Sequence, residues 1–357
     1  MHERYFEKFK MKIAILTSGL FKHTGGPPVV ISNLINQISN FDDLQITYFG
    51  IQGNIHPKMN NLNSSVRVIN FRVITKYRFS FTYLSKLISL NPDIIWVHGL
   101  WLWPNFAGIM YSFFARKKLL VTPHGVLTKE MFSNKWYKKI SIGLTEMIVL
   151  SIKKNFKMHY LSKSERDSCV LKKMSLNNQV IPNYVNVRKL NNIVRDREFL
   201  FLARIAPIKG IEDVISISNF NCDVYGFGDA EYIKKVVSGN PNFYGEVETY
   251  NIEKIFYKYK YYLLPSYGEG LPTSAIEAAM CGCILVVSNQ CNLNMFTDGL
   301  NAIKFDAGLD NLKDAISRVK KLTKKQTEEI RKNAFKVIQS EFSTQVLNRK
   351  YKKYILE

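Results

Sequence analysis

The chain has 357 residues and a formal net charge of +21 at pH 7, and 46% of its residues are hydrophobic, enough to bury the cores of two ordinary domains. No apolar run reaches the ~18–20 residues of a membrane-spanning helix, and the five cysteines show neither zinc spacing nor a disulfide framework. The composition therefore excludes an integral membrane protein and a disulfide scaffold, and it predicts a cytoplasmic globular protein.

The first half of the chain alternates short apolar strands with longer periodic helices. Strands are predicted at KIAILTS, LQITYFG, VRVINF, DIIWVHG, LLVTPHG and MHYLS. Helices are predicted at PVVISNLINQIS, YLSKLISL, PNFAGIMYSFFARKK and IGLTEMIVLSI. This alternation is typical of a parallel sheet with helices on both faces.

The α/β pattern starts again after a polar, aperiodic stretch at residues 183–198. The strands of this second half are predicted at EFLFLARIAP, NCDVYGFGD, NFYGEV, YYLLPSY and CILVVSN, and the chain ends in three helical segments. We therefore predict an α/β protein with two Rossmann-like, doubly wound domains facing across a cleft. The predicted ranges are residues 1–187, residues 188–340 and a C-terminal helix at residues 341–357 that packs back on the first domain.

The stretch PSYGEGLPTSAIEAAMCG, residues 265–282, places Glu269 before a predicted helix and Glu277 about one turn inside it. The helix is expected to begin around Pro272–Ser274, where its free N–H groups and dipole favour an anion. Ionised carboxylates accept hydrogen bonds from vicinal hydroxyl groups, so one acid on each side of a diphosphate fits a nucleotide sugar. The alternative is an ordinary helix acid and an exposed loop glutamate.

Two cations follow the first strand of the second half, in FLARIAPIKGIEDVI. Arg204 and Lys209 there suit a diphosphate leaving group, whose charge grows as its bond breaks. A structural ion pair with Glu212 or Asp213 is the alternative. Because the chain contains no Asp-x-Asp, the metal-holding arrangement of the other large class of sugar transferases, we expect no metal and no other cofactor.

The string ARIAPIKG followed by LLPSYGEGLPTSAIEAAMCGCILVVS resembles the donor-binding half of glycosyltransferase family 4, whose members are retaining enzymes of GT-B fold. The Arg-x-x-x-x-Lys-Gly stretch and the Glu-Gly-x-Pro segment with a second Glu eight residues after the first both occur here. The resemblance implies that Arg204 and Lys209 bind the diphosphate, Glu269 the transferred sugar and Glu277 the ribose. It also implies a phosphate cap of backbone N–H groups from Leu271, Pro272, Thr273 and Ser274.

The first half is similar to the same family. Its TGGPPVVISNLINQI matches the glycine-rich turn of that family, which implies that Gly25 and Gly26 approach the sugar-phosphate or the acceptor. VHGLWLWP and TPHGVLT each place a histidine at a predicted strand end. The resemblance implies that His98 contacts the transferred sugar and that His124 lies near sugar or acceptor. A plain tight turn and structural imidazoles are the alternatives.

Four other positions leave alternatives open or depart from the family. Trp101 and Trp103 either stack on an acceptor sugar or pack the helix that follows. Tyr184 replaces the glycine of the usual Pro-Asn-Gly, and Asn294 stands at the acid position of a loop that shapes the donor-sugar pocket. The identity of the transferred sugar is therefore left open, and the donor is predicted only as a UDP or GDP sugar.

The positive charge is concentrated in the first half, where residues 1–185 contain 25 Lys and Arg against 9 Asp and Glu. The clusters at residues 116–118, 138–139 and 153–154 adjoin the aromatic residues Phe113, Phe114, Trp136, Tyr137 and Phe156. Basic residues beside aromatic ones suit contact with an anionic membrane surface. A solvated basic face is the alternative. Nucleic-acid binding is a remote reading, since no nucleic-acid motif accompanies the charge.

The features together predict a hexosyltransferase that uses a lipid-linked or other glycan acceptor at the inner face of a bacterial membrane, in capsule, lipopolysaccharide or other polysaccharide biosynthesis. Another GT-B enzyme, a sugar phosphorylase or a nucleotide-sugar epimerase, is the enzymatic alternative because it would use the same donor half.

Overall fold

The computed structural model describes residues 10–19, 27–53, 57–75, 77–127, 140–153, 156–171, 177–185, 195–237, 240–247 and 252–357. The described residues form two compact units. The first contains those up to Tyr184 together with Leu347–Glu357, and the second runs from Val185 to Val346. The sequence-based boundaries, at 187/188 and 340/341, lie within six residues of these.

The first unit is built on a parallel sheet with the strand order β3-β2-β1-β4-β5-β6-β7. Its strands are β1 (Met11–Thr17), β2 (Leu44–Ile51), β3 (Arg67–Phe71), β4 (Ile94–His98), β5 (Lys118–Thr122), β6 (Phe156–Tyr160) and β7 (Asn177–Val180). The helices described along this part of the chain are α1 (Pro27–Ile38), α2 (Phe81–Leu90), α3 (Trp103–Phe114), α4 (Ile140–Lys153) and α5 (Lys163–Ser168).

The second unit repeats this plan with the parallel order β10-β9-β8-β11-β12-β13. Its strands are β8 (Arg197–Leu202), β9 (Cys222–Tyr225), β10 (Phe243–Gly245), β11 (Tyr259–Leu264), β12 (Ile284–Ser288) and β13 (Ile303–Phe305). Its helices are α6 (Ile211–Ile215), α7 (Ala230–Val236), α8 (Ile252–Phe256), α9 (Thr273–Met280), α10 (Leu309–Lys320) and α11 (Lys324–Phe342).

Both sheets therefore have the doubly wound order of a Rossmann-like fold, and the predicted fold class is confirmed. Strands such as β4 and β12 are buried along their whole length, which explains their continuous apolar runs. The strand order reverses between β1 and β4 in the first sheet and between β8 and β11 in the second. Ligands of open α/β sheets bind at the carboxyl ends of the strands beside such a reversal.

The last helix, α12 (Thr344–Leu356), follows α11 after the single residue Ser343. Its apolar side, which includes Leu347, Tyr351 and Tyr354, is buried in the core that lies between the first sheet and α1. This is the segment for which the sequence predicted packing on the first domain. In the described ranges, no helix is both long and apolar enough to cross a membrane.

Candidate active site

Two connections of the second unit leave its sheet where the strand order reverses. The β8 turn, residues 203–210, carries Arg204 and the short 3-10 helix Pro207–Lys209, and the β11 loop, residues 265–272, carries Glu269. Because β8 and β11 are neighbouring parallel strands, both connections emerge at the same sheet edge. That edge is the expected position of a ligand site.

The β8 turn and the β11 loop are in direct contact. The carbonyl oxygen of Ile208 accepts hydrogen bonds from the Ser266 hydroxyl at 2.8 Å and from the Tyr267 N–H at 2.7 Å. Gly210 is left-handed, with φ of 70°, and a Cβ atom there would lie 2.2 Å from the Pro265 carbonyl oxygen. Only glycine fits this position, so the end of the β8 turn rests on the start of the β11 loop.

This contact brings two predicted site residues together. The Lys209 ammonium group donates to Oε1 of Glu269, and the two side chains are only 18% and 10% exposed. The acids considered as structural partners from the sequence, Glu212 and Asp213, instead accept hydrogen bonds from tyrosine hydroxyl groups. The ion pair of Lys209 therefore joins the β8 turn to the β11 loop and does not involve the two acids of α6.

The backbone of Glu269 is held by residues that follow β12. The Asn292 side chain donates to the Glu269 carbonyl oxygen at 2.6 Å, and the Glu269 N–H donates to the Gln290 carbonyl oxygen at 3.0 Å. Sequence reasoning missed both residues. The available signal was the polar run SNQCN at the end of an apolar strand, which emerges at the same edge as β11.

Helix α9 begins at Thr273, within the range predicted from the sequence, and Pro272 is its N-cap without a side-chain hydrogen bond. Tyr262 on β11 donates its hydroxyl proton to the Leu202 carbonyl oxygen at 2.9 Å, so the Ser274 hydroxyl, 2.8 Å away, must donate to Tyr262. Ser274 can therefore offer an anion only its backbone N–H. Pro272 has no N–H, which corrects the expectation that all four residues from 271 to 274 donate one.

The two other charged residues predicted for the site, Arg204 and Glu277, lie on the β8 turn and on α9. Arg204 is exposed just after β8, and Glu277 is partly buried on α9, four residues after Thr273 and hence on the same helix side. The second unit therefore collects Arg204, Lys209, Glu269 and the start of α9 in connections at one sheet edge.

In the first unit, His98 and His124 form a direct contact at the carboxyl ends of β4 and β5. Nδ1 of His98 lies 3.0 Å from Nε2 of His124, and the rings stack with centroids 5.3 Å apart. Trp96 packs on the His98 ring at 5.1 Å, and the Asn105 side chain donates to the His98 carbonyl oxygen at 3.3 Å. The sequence named both histidines but did not predict that they pair.

Burial keeps both imidazoles neutral. It holds the pKa of His98 well below its usual value, assisted by His124 and His159, and burial followed by His159 lowers the pKa of His124 to about 3. Nε2 of His98 is buried and has no hydrogen-bond partner in the described structure. Depending on the tautomer, that atom presents either a donor or an acceptor.

The two tryptophans after β4 differ in their packing and in their exposure. Trp103 packs against Phe79 and Phe106, with ring centroids 4.5 Å and 5.8 Å away, which favours the packing role. Trp101 is partly exposed and has a left-handed backbone, with φ of 75°. Gly25 and Gly26 lie outside the described residues.

The two departures from the family pattern occupy different surroundings. Tyr184 is buried, stacks on Tyr351 of α12 at 4.9 Å and donates its hydroxyl proton to Asn348 at 2.8 Å. The residue that replaces glycine therefore anchors the C-terminal helix. Asn294 lies exposed in the loop after β12.

Comparison with known proteins gives matches at the level of sequence and of fold. Residues 185–337 match the family model described as Glycosyl transferases group 1. A Klebsiella pneumoniae protein described as "Uncharacterized 41.2 kDa protein in cps region" is 24% identical over 271 residues, 68% of this chain and 72% of that protein.

Two solved structures have the same fold at 15% identity and a TM-score of 0.72 each. Sucrose-phosphate synthase from Thermosynechococcus elongatus covers 97% of this chain and 100% of its own. Anabaena Alr3699/HepE in complex with UDP covers 97% of this chain and 99% of its own, and that protein has also been solved with UDP-glucose.

The two parallel-sheet units are those of the GT-B fold. The matched family region contains the Arg204, Lys209, Glu269 and Glu277 positions. The chain is a glycosyltransferase, and the enzyme class predicted from the sequence is confirmed.

Proposed function

We propose that this enzyme transfers a sugar, with retention of anomeric configuration, from a nucleotide-sugar donor to a hydroxyl group of a glycan acceptor, as members of glycosyltransferase family 4 do. The observation that carries the proposal is the group formed by Lys209, Glu269 and the start of α9 at one sheet edge. A cation, an acid and a helix N-terminus are what a sugar diphosphate requires.

The phosphates are assigned to the positive elements. Arg204 forks onto phosphate oxygens, Lys209 supplies a point charge, and the N–H groups of Leu271, Thr273 and Ser274 complete the site. Lys209 is paired with Glu269, so a bound diphosphate shares or takes over this ammonium group. These cations stabilise the departing diphosphate without a divalent metal or another cofactor.

The two acids are assigned to hydroxyl groups. Glu277, one turn inside α9, accepts from the ribose, and Glu269 orients the transferred sugar. His98 contacts the same sugar through its unpartnered Nε2, and His124, Trp101, Gly25 and Gly26 lie near the sugar or the acceptor. HepE, which has the same fold, has been solved with UDP and UDP-glucose, and this supports a UDP sugar over a GDP sugar.

The donor assignment is tested by a thermal-shift screen against UDP and GDP sugars in the presence of EDTA. At 100 times its dissociation constant one ligand should stabilise the protein by about 2.7 kcal/mol, and Glu277→Ala should lower its affinity about 10- to 100-fold. Glu329→Ala removes an exposed acid of α11 and should leave the shift unchanged. Equal shifts in Glu277→Ala and wild type would remove Glu277 from the ribose.

The acceptor is proposed to be a lipid-linked glycan of surface-polysaccharide or lipopolysaccharide assembly, at the cytoplasmic face of the membrane. The Klebsiella relative is described as lying in a cps region, which supports a polysaccharide pathway. The positive charge of the first half supports an anionic, lipid-borne partner.

One surface of the first unit supports a peripheral membrane contact. Phe114 at the end of α3 is 73% exposed, and Ile148 and Ile152, on one side of α4, are 50% and 61% exposed. Ile152 also lines a groove of about 580 Å³ together with five basic residues, Arg116, Lys117, Lys118, Lys153 and Lys157. Apolar side chains beside cations suit the boundary between lipid headgroups and acyl chains. Phe156, expected in this contact, is instead buried.

The membrane contact is tested by co-sedimentation with phosphatidylcholine vesicles that do or do not contain phosphatidylglycerol. We expect binding only to the anionic vesicles, weakened about tenfold or more by Arg116→Glu and by Phe114→Ser. Lys336→Glu and Leu300→Ser change an exposed lysine and an exposed leucine of the second unit and are the matched controls. Wild-type protein that stays in the supernatant at every ionic strength would contradict a direct lipid contact.

A further inference from the structure

Two buried glutamates of the first unit are not accounted for by the proposed donor site. Glu146 on α4 is 1% exposed, and its Oε2 accepts the Trp101 N–H at 2.8 Å. Glu165 on α5 is 3% exposed, and its Oε1 accepts the Gly125 N–H at 2.6 Å. Each carboxyl group therefore holds the backbone of a turn that follows a strand of the sheet.

The two turns are of the same kind. Each begins with a His-Gly pair, at residues 98–99 and 124–125, and they follow the neighbouring strands β4 and β5. Both contain left-handed backbone at a non-glycine residue, Trp101 with φ of 75° and His124 with φ of 53°. Such residues are strained and persist only where surrounding contacts hold them in place.

The glutamates supply such contacts from outside the turns. Both hydrogen bonds are partly buried, and each pairs a backbone N–H with a carboxyl oxygen where access to water is reduced, so the carboxyl groups favour the observed turn conformation. His98 and His124 stand at the start of these turns, and their ring nitrogens lie 3.0 Å apart. A shift of either turn would change this distance and the direction of the His98 Nε2 atom.

We propose that Glu146 and Glu165 are positioning residues that hold the two His-Gly turns and thereby fix the imidazole pair of His98 and His124. The benefit to sugar transfer rests on the proposed function, which places His98 at the transferred sugar. The role of the two glutamates in holding the turns is independent of the proposed function.

The two carboxyl groups use their oxygens differently, which makes the proposal testable with glutamine. Both oxygens of Glu165 are occupied, since Oε2 also accepts the Leu161 N–H at 2.7 Å. Oε1 of Glu146 has no partner in the described structure. Glutamine can therefore replace Glu146 with its bond to Trp101 intact, whereas at position 165 its NH₂ group must face a backbone N–H.

The protonation state of Glu146 also favours its replacement by glutamine. Burial raises the pKa of Glu146 to about 8, although the Trp101 N–H acts in the opposite direction, so the folded protein holds a neutral carboxyl group at pH 7. Burial also raises the pKa of Glu165, opposed by its two backbone donors. A neutral Glu146 has the same shape and charge as glutamine.

The first measurement follows the ring signals of His98 and His124 in ¹H–¹³C spectra of the full chain without ligand. Glu165→Gln, Glu165→Ala and Glu146→Ala should move these signals, while those of His159, which is held by Thr122 and the Ile181 carbonyl oxygen, stay in place. Glu146→Gln should restore the wild-type positions. Glu231→Gln, at an exposed position on α7, is the control.

The second measurement is the steady-state kinetics of transfer. The three disruptive variants should lower kcat about 10- to 100-fold with a KM for the donor within about twofold of wild type, because misplaced groups lose orientation rather than affinity. Glu146→Gln should retain the wild-type kcat at pH 7.

A third measurement, the melting temperature between pH 5 and pH 9, reports on Glu146 by itself. In the unfolded chain this carboxyl group ionises near its ordinary pKa of 4.5, whereas in the folded protein it keeps its proton up to about 8. Stability is therefore lost progressively as the pH rises through this window. Glu146→Gln should make the dependence of the melting temperature on pH flatter. An unchanged slope would contradict a neutral Glu146 carboxyl group in the folded protein.

The proposal is overturned if Glu165→Gln and Glu146→Ala lower the melting temperature while the imidazole signals and kcat keep their wild-type values. The carboxyl groups would then stabilise the fold without positioning the histidines. If the wild type transfers no sugar from any nucleotide donor, the proposed function fails, and the imidazole signals still test the positioning role.

Discussion

Replacing Lys209 with alanine is expected to lower kcat/KM for the nucleotide sugar about 100- to 1000-fold, the loss typical of one preorganised group that stabilises developing charge. The substitution removes a cation from the proposed diphosphate site. It also leaves the Glu269 carboxyl group, only 10% exposed, without its ion-pair partner. Initial rates of transfer at varied donor concentration measure the effect.

Lys260 offers a matched control because it also pairs with a glutamate, Glu198, but on the exposed surface at 3.7 Å. Lys260→Ala should stay within about twofold of wild type, since exposed ion pairs contribute little. The double variant Lys209→Ala, Glu269→Gln should lose less than the product of the two single losses, because the two residues act as one unit. Transfer by Lys209→Ala at the wild-type rate would exclude this lysine from the diphosphate.

Replacing Gly210 with alanine is expected to lower the free energy of unfolding by about 2–4 kcal/mol, from steric overlap and a left-handed backbone together. The new methyl group would lie 2.2 Å from the Pro265 carbonyl oxygen, so the β8 turn and the β11 loop must separate. Donor binding should weaken as well as the stability, because Lys209 directly precedes this glycine. Urea unfolding of the full chain and the donor thermal shift measure the two effects.

Gly270 is the control for this substitution because a Cβ atom there meets nothing within 4 Å and its backbone is not left-handed. Gly270→Ala should leave the urea midpoint nearly unchanged. If Gly210→Ala were as stable as Gly270→Ala, the close contact between the two connections would not exist in solution.

Two strands that sequence reasoning missed lack the pattern that marks a buried strand. Strand β7, with the sequence NNQV, is a polar edge strand, and β13 has only three residues, so neither shows the apolar run that marks a buried strand. Both form because an adjacent strand supplies hydrogen-bond partners. Tyr184 was read as a departure at a binding loop because its partner Tyr351 is 167 positions further along the chain.

The sequence by itself determined the two doubly wound domains and the start of α9, and it named the four charged residues on which the donor-site proposal rests. It could do so because periodicity, capping and motif spacing are local properties of the chain. Tertiary structure alone decided that Lys209 pairs with Glu269, that His98 contacts His124, and that Glu146 and Glu165 hold the turns beside them. Each of these contacts joins residues 26 to 60 positions apart, and only the register and crossover of parallel strands bring such positions to one edge of a sheet.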